Sequence, residues 1–199
     1  MILIVAALKT ELLPLIKFFN IDQIKSIGSG TLYYNRKLHL LQTGIGMNNA
    51  RVMLSEYLET YHPERILNIG TAGALNPEVV IGSVMQVEII LNETFDKIYT
   101  ELISPGSVYL KKAALLTMSR AVVDQKRKEK LFNNYKADLV DMEAFALAGI
   151  AAAKNIRLSC IKVVSDNADN NASIDFKNNY KDAVKCLSES IISYLNSLG

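Results

Sequence analysis

An α/β fold, a sheet with helices on both faces, is predicted for this chain by three observations. Strand-length runs rich in Val, Ile and Leu recur along it, helix-length segments lie between several of them, and no repeat or low-complexity linker interrupts the alternation. With 199 residues, 50% of them hydrophobic, the chain is long enough for one sizeable core and too short for two, so a single domain over residues 1–199 is expected.

The elements follow in order. ILIVAA (2–7) has no positive region before it, is too short for a membrane span or an ordinary signal peptide, and reads as a buried first strand. KTELLPLIKFF (9–19) carries apolar residues at three- and four-residue spacing, the mark of an amphipathic helix. KLHLLQTG (37–44) reads as a strand and MNNARVMLSEYLETY (47–61) as a second helix. RILNIG (65–70), SVMQVEII (83–90) and AALLTMS (113–119) read as further strands. DQKRKEK (124–130), the one local basic cluster, reads as the solvated face of a helix. AFALAGIAAAK (144–154), almost wholly apolar, is a buried helix, RLSCIKVVS (157–165) a strand, and residues 174–198 the closing amphipathic helix.

Composition removes several classes of function. The 22 basic and 20 acidic residues are spread along the chain for a net charge of +2, without the bias of a nucleic-acid binder. Cys160 and Cys186 show no CxxC spacing, so neither a disulfide framework nor a zinc site is indicated, and a reducing, cytoplasmic setting is expected. His39 and His62 are far apart and have no companion ligands, so no metal chemistry is expected, and the functional reading below calls for no organic cofactor either. In TGIGMNNA the third glycine of a dinucleotide fingerprint is replaced by Asn49, and no Walker lysine follows.

In such folds chemistry gathers where strands hand over to loops or helices. Those points carry glycines and acids: QTGIGMNNA (42–50), NIGTAGAL (68–75), LVDMEA (139–144) and VVSDNAD (163–169), with Glu11 after the first strand. Each has a plain reading. Gly44 and Gly46, and Gly70 and Gly73 around Thr71, suit tight turns as well as an approach to a ligand. Asp166 and Asp169 suit an Asx turn or a helix cap, and Glu11 a first-turn acid that complements the helix dipole. Glu143 is harder to explain, because an unpartnered carboxylate at the mouth of an apolar helix is expensive to bury.

Taken together, Glu11, GIG, GTAGAL, DMEA and SDNAD, in this order and with about 20 residues between the last two, resemble the nucleoside phosphorylase and nucleosidase superfamily, nearest the 5′-methylthioadenosine/S-adenosylhomocysteine nucleosidases. The resemblance runs over nearly the whole chain. It implies a three-layer α/β/α sandwich around a mixed, barrel-like sheet, a homodimer, and a small nucleoside substrate, with no nucleic acid or membrane partner. It also implies roles. Glu11 is the water-activating acid, Asp166 the acid that protonates the purine, steadied by Ser165, and Glu143 the grip on the ribose hydroxyls. Met142 packs on the ribose, Thr71 sits beside the nucleophile with Gly73 following, and Phe176 lies over the 5′ substituent. Val122 and Val123 stand at the base and Lys162 near the ribose and water.

The chemistry wants these residue types on its own account. Breaking an N-glycosidic bond passes through an oxocarbenium-like sugar, which nearby carboxylates stabilise, and the base leaves only if its charge is quenched. Asp166 must therefore have a raised pKa to carry the proton. Phosphorylases of the superfamily bring arginines to phosphate; here Asn68 occupies that neighbourhood and Glu11 would repel the anion, so water is the expected nucleophile. A phosphorylase, or a non-catalytic nucleoside-binding protein on the same scaffold, are the alternatives. Three departures bear on specificity: lysine for arginine at Lys162, Val122 for an aromatic residue stacking on the base, and a shortened connection over residues 92–108. They point towards a bulkier 5′ substituent of the futalosine type, from the route to menaquinone, beside the methionine-salvage substrate methylthioadenosine that the resemblance itself implies.

Overall fold

Period-two burial along the strands organises the molecule: Leu3 and Val5 face one helical layer, Ile4 and Ala6 the other. The computed structural model describes residues 1–103 and 110–198. In order these form β1 (Ile2–Ala6), α1 (Lys9–Phe18), β2 (Gln23–Ile27), β3 (Gly30–Tyr34), β4 (Leu38–Gln42), α2 (Met47–Thr60), β5 (Arg65–Ala74) and β6 (Val84–Leu91). There follow β7 (Lys97–Tyr99), β8 (Lys111–Thr117), α3 (Gln125–Tyr135), β9 (Leu139–Asp141), α4 (Ala144–Ala153), β10 (Arg157–Asp166) and α5 (Ala172–Ser197).

Five strands close into a barrel. β5 runs parallel to β10, β10 antiparallel to β6, β6 parallel to β8, β8 parallel to β9, and β9 returns antiparallel to β5. A wing of β1, β4, β3 and β2 extends from the first half of β5. Helices α2 and α4 pack Met53, Leu54, Leu147 and Ala151 on one side, while α1 and α5 pack Leu12, Leu15, Leu187 and Ile191 on the other. The expected three-layer α/β/α arrangement around a mixed, barrel-like sheet is therefore present. Helix α3 buries Lys128 and Leu131, rests Phe132 and Tyr135 against the core, and turns most of its basic run to solvent.

One detail of this topology creates the site. β1 pairs with Arg65–Asn68 of β5 and β9 with Gly73–Ala74 on the same edge, so between them, among the described residues, no strand covers positions 69–72. Strands that diverge in this way leave a crevice at their carboxyl ends.

The structure also corrects the sequence reading. The segment NIGTAGAL is no turn after a strand: β5 continues through Ala74. Its glycines serve clearance, since a Cβ on Gly70 would sit 3.2 Å from Glu11 Oε1 and one on Gly73 2.9 Å from Asp166 Oδ1. Strand β9 is the strand end that LVDMEA implies, whereas β2, β3 and β7 give no signal in the sequence. β2 is an edge strand exposed over four of its five residues, and β7 has three residues, too few for any period to register. Of the connection 92–108, residues 92–103 form a turn, β7 and its exit, and 104–108 lie outside the described residues. Among the described residues no helix is long and apolar enough to cross a membrane.

Candidate active site

A cavity of about 340 Å³ opens at the carboxyl ends of β5 and β10. Every site residue expected from the sequence lines it: Glu11, Thr71, Gly73, Val122, Val123, Met142, Glu143, Lys162, Ser165, Asp166 and Phe176. Asn68, Ile45, Ser173 and Asp141 line it as well.

Glu11 enters from the first turn of α1. Its Oε2 accepts the Leu8 N–H at 3.0 Å, closing the helix start, and its Oε1 accepts the Thr71 N–H at 2.9 Å and the Thr71 hydroxyl at 3.2 Å. One oxygen thus serves the helix start, while the other is turned to Thr71 at the cavity wall. Burial, with 3% of the residue exposed, raises its pKa against those hydrogen bonds and the charge of Lys162.

Asp166 ends β10 at an irregularity. The pairing with β5 shifts between Val164 and Asp166, leaving Ser165 as the extra residue of a bulge, a device that re-aims side chains. Ser165 donates to Asp166 Oδ2 at 2.8 Å and the Ala168 N–H to Oδ1 at 2.9 Å, so the Asx-turn reading also holds. Burial raises the pKa of Asp166, and Asp175 and Asp169 add to it against these two donors. Asp169 itself accepts the Asn171 N–H at 2.8 Å and serves the loop.

Glu143 stands at the N-cap position of α4 and makes no cap bond there. Asp141 does that work instead, accepting the Ala144 N–H at 3.0 Å. Glu143 is left to turn into the cavity, where Oε1 accepts the Gly46 N–H at 2.7 Å. The GIG loop, with Gly44 and Gly46 at φ of 80° and 97°, therefore presents an amide to an internal carboxylate. Burial and the Asp141 charge push Glu143 up to about 7, against Lys162 and that amide.

Lys162 reaches in from β10, 2% exposed, with Nζ 2.9 Å from Asp141 Oδ2. Burial opposes its charge, but the neighbouring Asp141 and Glu143 outweigh it and hold the ammonium above its ordinary pKa. Among the described residues it is the only Lys, Arg or His lining the cavity, and it is already paired. Asn68 also lines the cavity, and its Nδ2 donates to the Val5 carbonyl at 3.2 Å. Val122 is 4% exposed and packs with Leu116, Met118 and Leu131, making an aliphatic wall with Val123 at its rim. No cluster of three or more His, Cys, Asp or Glu among the described residues is arranged to hold a metal.

Buried carboxylates with raised pKa values, a hydroxyl-supported acid and no unpaired cation make an acid–base site for a small molecule. The chain belongs to the Phosphorylase superfamily, whose family model matches residues 1–112 and 100–196. An aminodeoxyfutalosine nucleosidase of Campylobacter jejuni is 23% identical over 88% of this chain and 89% of its own. A 5′-methylthioadenosine/S-adenosylhomocysteine nucleosidase of Staphylococcus carnosus is 27% identical over the full length of both. Among solved structures, the native futalosine hydrolase of Helicobacter pylori superposes with a TM-score of 0.90 at 18% identity, covering 98% of this chain and 97% of that one.

Proposed function

We propose that this chain is a purine-nucleoside N-ribohydrolase acting on a 5′-modified nucleoside of the methylthioadenosine, adenosylhomocysteine or futalosine type. The observation that carries the reading is the charge inventory of the cavity: Glu11, Glu143 and Asp166 converge there, while the one lining cation among the described residues is held by Asp141. A phosphate dianion finds no free cationic partner in such a pocket, whereas a sugar developing positive charge finds carboxylates. The relatives named as nucleosidases support the same reading.

Asp166, its pKa raised, donates its proton to N7 of the purine as the C1′–N9 bond breaks. Glu143 accepts hydrogen bonds from the ribose hydroxyls, with Met142 against the sugar. Glu11 takes a proton from water as the water oxygen bonds to C1′, and Thr71 keeps the carboxylate aimed. The products are free base and free sugar; Glu11 returns its proton to solvent and Asp166 is reprotonated. Phe176 covers the 5′ group, and Val122 and Val123 form the base wall. Without an aromatic face worth on the order of 1–3 kcal/mol, base recognition leans on Asp166 and backbone groups. A cytoplasmic homodimer fits the resemblance, and the rim residues Ile45 and Val123, 54% and 52% exposed, are the apolar surface that a second copy would cover.

The test is product analysis with methylthioadenosine, adenosylhomocysteine, 5′-deoxyadenosine, futalosine and aminodeoxyfutalosine. Release of free purine base from at least one is expected, with the futalosine-type compounds cleaved at least as well as methylthioadenosine by kcat/KM. No release from any of them would overturn the function. A preference above about 100-fold for methylthioadenosine would overturn the substrate preference alone.

A further inference from the structure

The proposed mechanism uses Glu11, Glu143 and Asp166 and leaves the most enclosed ion pair of the cavity without a task. Asp141 is 1% exposed in its side chain and Lys162 2%. A helix cap alone needs no ammonium, and a buried pair is no dependable source of stability. Its location is more telling. Lys162 Nζ lies 3.5 Å, and Glu11 Oε1 3.2 Å, from the point that a Cβ on Gly70 would occupy, so both reach the same gap in the strand edge.

We infer that Asp141, anchored by Thr117, is a positioning residue of the proposed hydrolysis: it fixes Lys162 beside Glu11 and Glu143 while preventing it from pairing with either. A lysine carries four rotatable bonds and a compact charge. Released from Asp141, it would settle on Glu11 or Glu143 and neutralise the base or the ribose grip. Asp141 holds it at 2.9 Å and is itself held at both oxygens. The Thr117 hydroxyl donates to Oδ1 at 2.7 Å and the Ala144 N–H to Oδ2 at 3.0 Å. The Phe145 N–H donates to the Thr117 oxygen at 3.0 Å, which leaves the threonine proton directed at Asp141. The chain β8–β9–β10 thus locks one cation in place through the start of α4. The groups facing Lys162 are Asp141 from β9, Glu143 before α4, Glu11 from α1 and Cys160 from β10, whose thiol burial pushes up to about 12 and keeps neutral.

This inference rests on the nucleosidase reading. The test is the pH profile of kcat/KM for the best substrate of the panel, measured on wild type, Asp141→Asn, Lys162→Met and the double variant. Asp141→Asn keeps an acceptor for the Ala144 N–H and removes the charge. Its kcat should fall by roughly 10- to 100-fold, the scale of a misplaced group. Its acid limb should move to lower pH, since an unneutralised Lys162 stabilises the ionised glutamates more strongly. Lys162→Met should move the limb the other way, and the double variant should lose no more than the worse single one. An Asp141→Asn enzyme with lower Tm but unchanged kcat and limb would overturn the inference, leaving Asp141 as a cap. Should that variant not fold, Thr117→Val loosens the anchor and keeps both charges. A severalfold loss of kcat with KM unchanged supports the inference; wild-type kcat and limb overturn it. Wild type inactive on every substrate overturns the nucleosidase reading instead.

Discussion

Strands β5 and β10 lie side by side over their whole length, yet their two ends are built on opposite principles. At the amino end Arg65 and Arg157 are register partners, two like charges set face to face. Glu101 resolves them, its carboxylate lying 3.3 Å from Arg65 Nε and 3.3 Å from Arg157 Nη1, with the Arg65 guanidinium also donating to the Tyr194 hydroxyl. At the carboxyl end Lys162 and Asp166 lie opposite Gly70 and Gly73, and acids outnumber cations. There Glu11, Glu143 and Asp166 all sit above their ordinary pKa values, and burial is the first cause each time. One end pairs its charges and is partly open to solvent; the other holds charge that folding alone would not choose. The contrast separates what the strands need to pair from what the cavity needs to react.

Substitutions at the two ends should therefore separate activity from stability. The largest effects belong to the acids. Asp166→Asn and Glu11→Gln should each lower kcat by about 10²- to 10⁴-fold with the fold intact, as steady-state rates and circular dichroism would show. Near wild-type kcat in either would remove that residue from its role.

Next is Glu143, where function and stability should oppose one another. Its folded pKa of about 7 lies above the ordinary 4.5, so its contribution is most favourable below the unfolded value and is lost as pH rises through the folded one. Wild type should lose on the order of 3 kcal/mol from this group between those limits, and Glu143→Gln should not. The Tm of Glu143→Gln should overtake that of wild type as pH rises from 4.5 to 8, while its affinity for a ribose-bearing analogue falls. A Tm difference that is flat with pH would contradict the burial argument.

The smallest effect is at the amino end. Glu101→Gln removes the bridge between Arg65 and Arg157, each side chain partly exposed, and should lower stability by about 1 kcal/mol or less with kcat/KM unchanged. A marked loss of activity would mean that the two ends are coupled along the strands.

Much of this was legible in the sequence, and the exceptions share a cause. The long buried strands and amphipathic helices announce themselves by period, and the acids by standing where an apolar run should have none. The glycines were misjudged because clearance for a carboxylate is a relation between distant parts of the chain: Gly70 makes room for Glu11, and Gly73 for Asp166. The work of Asp141 was hidden for the same reason, since its partners Thr117 and Lys162 lie on other strands. The amide that meets Glu143 comes from Gly46, 97 residues away. Short exposed strands such as β2 carry too little pattern to be read locally.

The central claim, that water rather than phosphate attacks the sugar, is tested most directly by following purine release in phosphate-free buffer and again with phosphate added. The same rate is expected in both, with free base and a reducing sugar as products and strong loss of both in Glu11→Gln. Release that requires phosphate and yields a sugar 1-phosphate would contradict it.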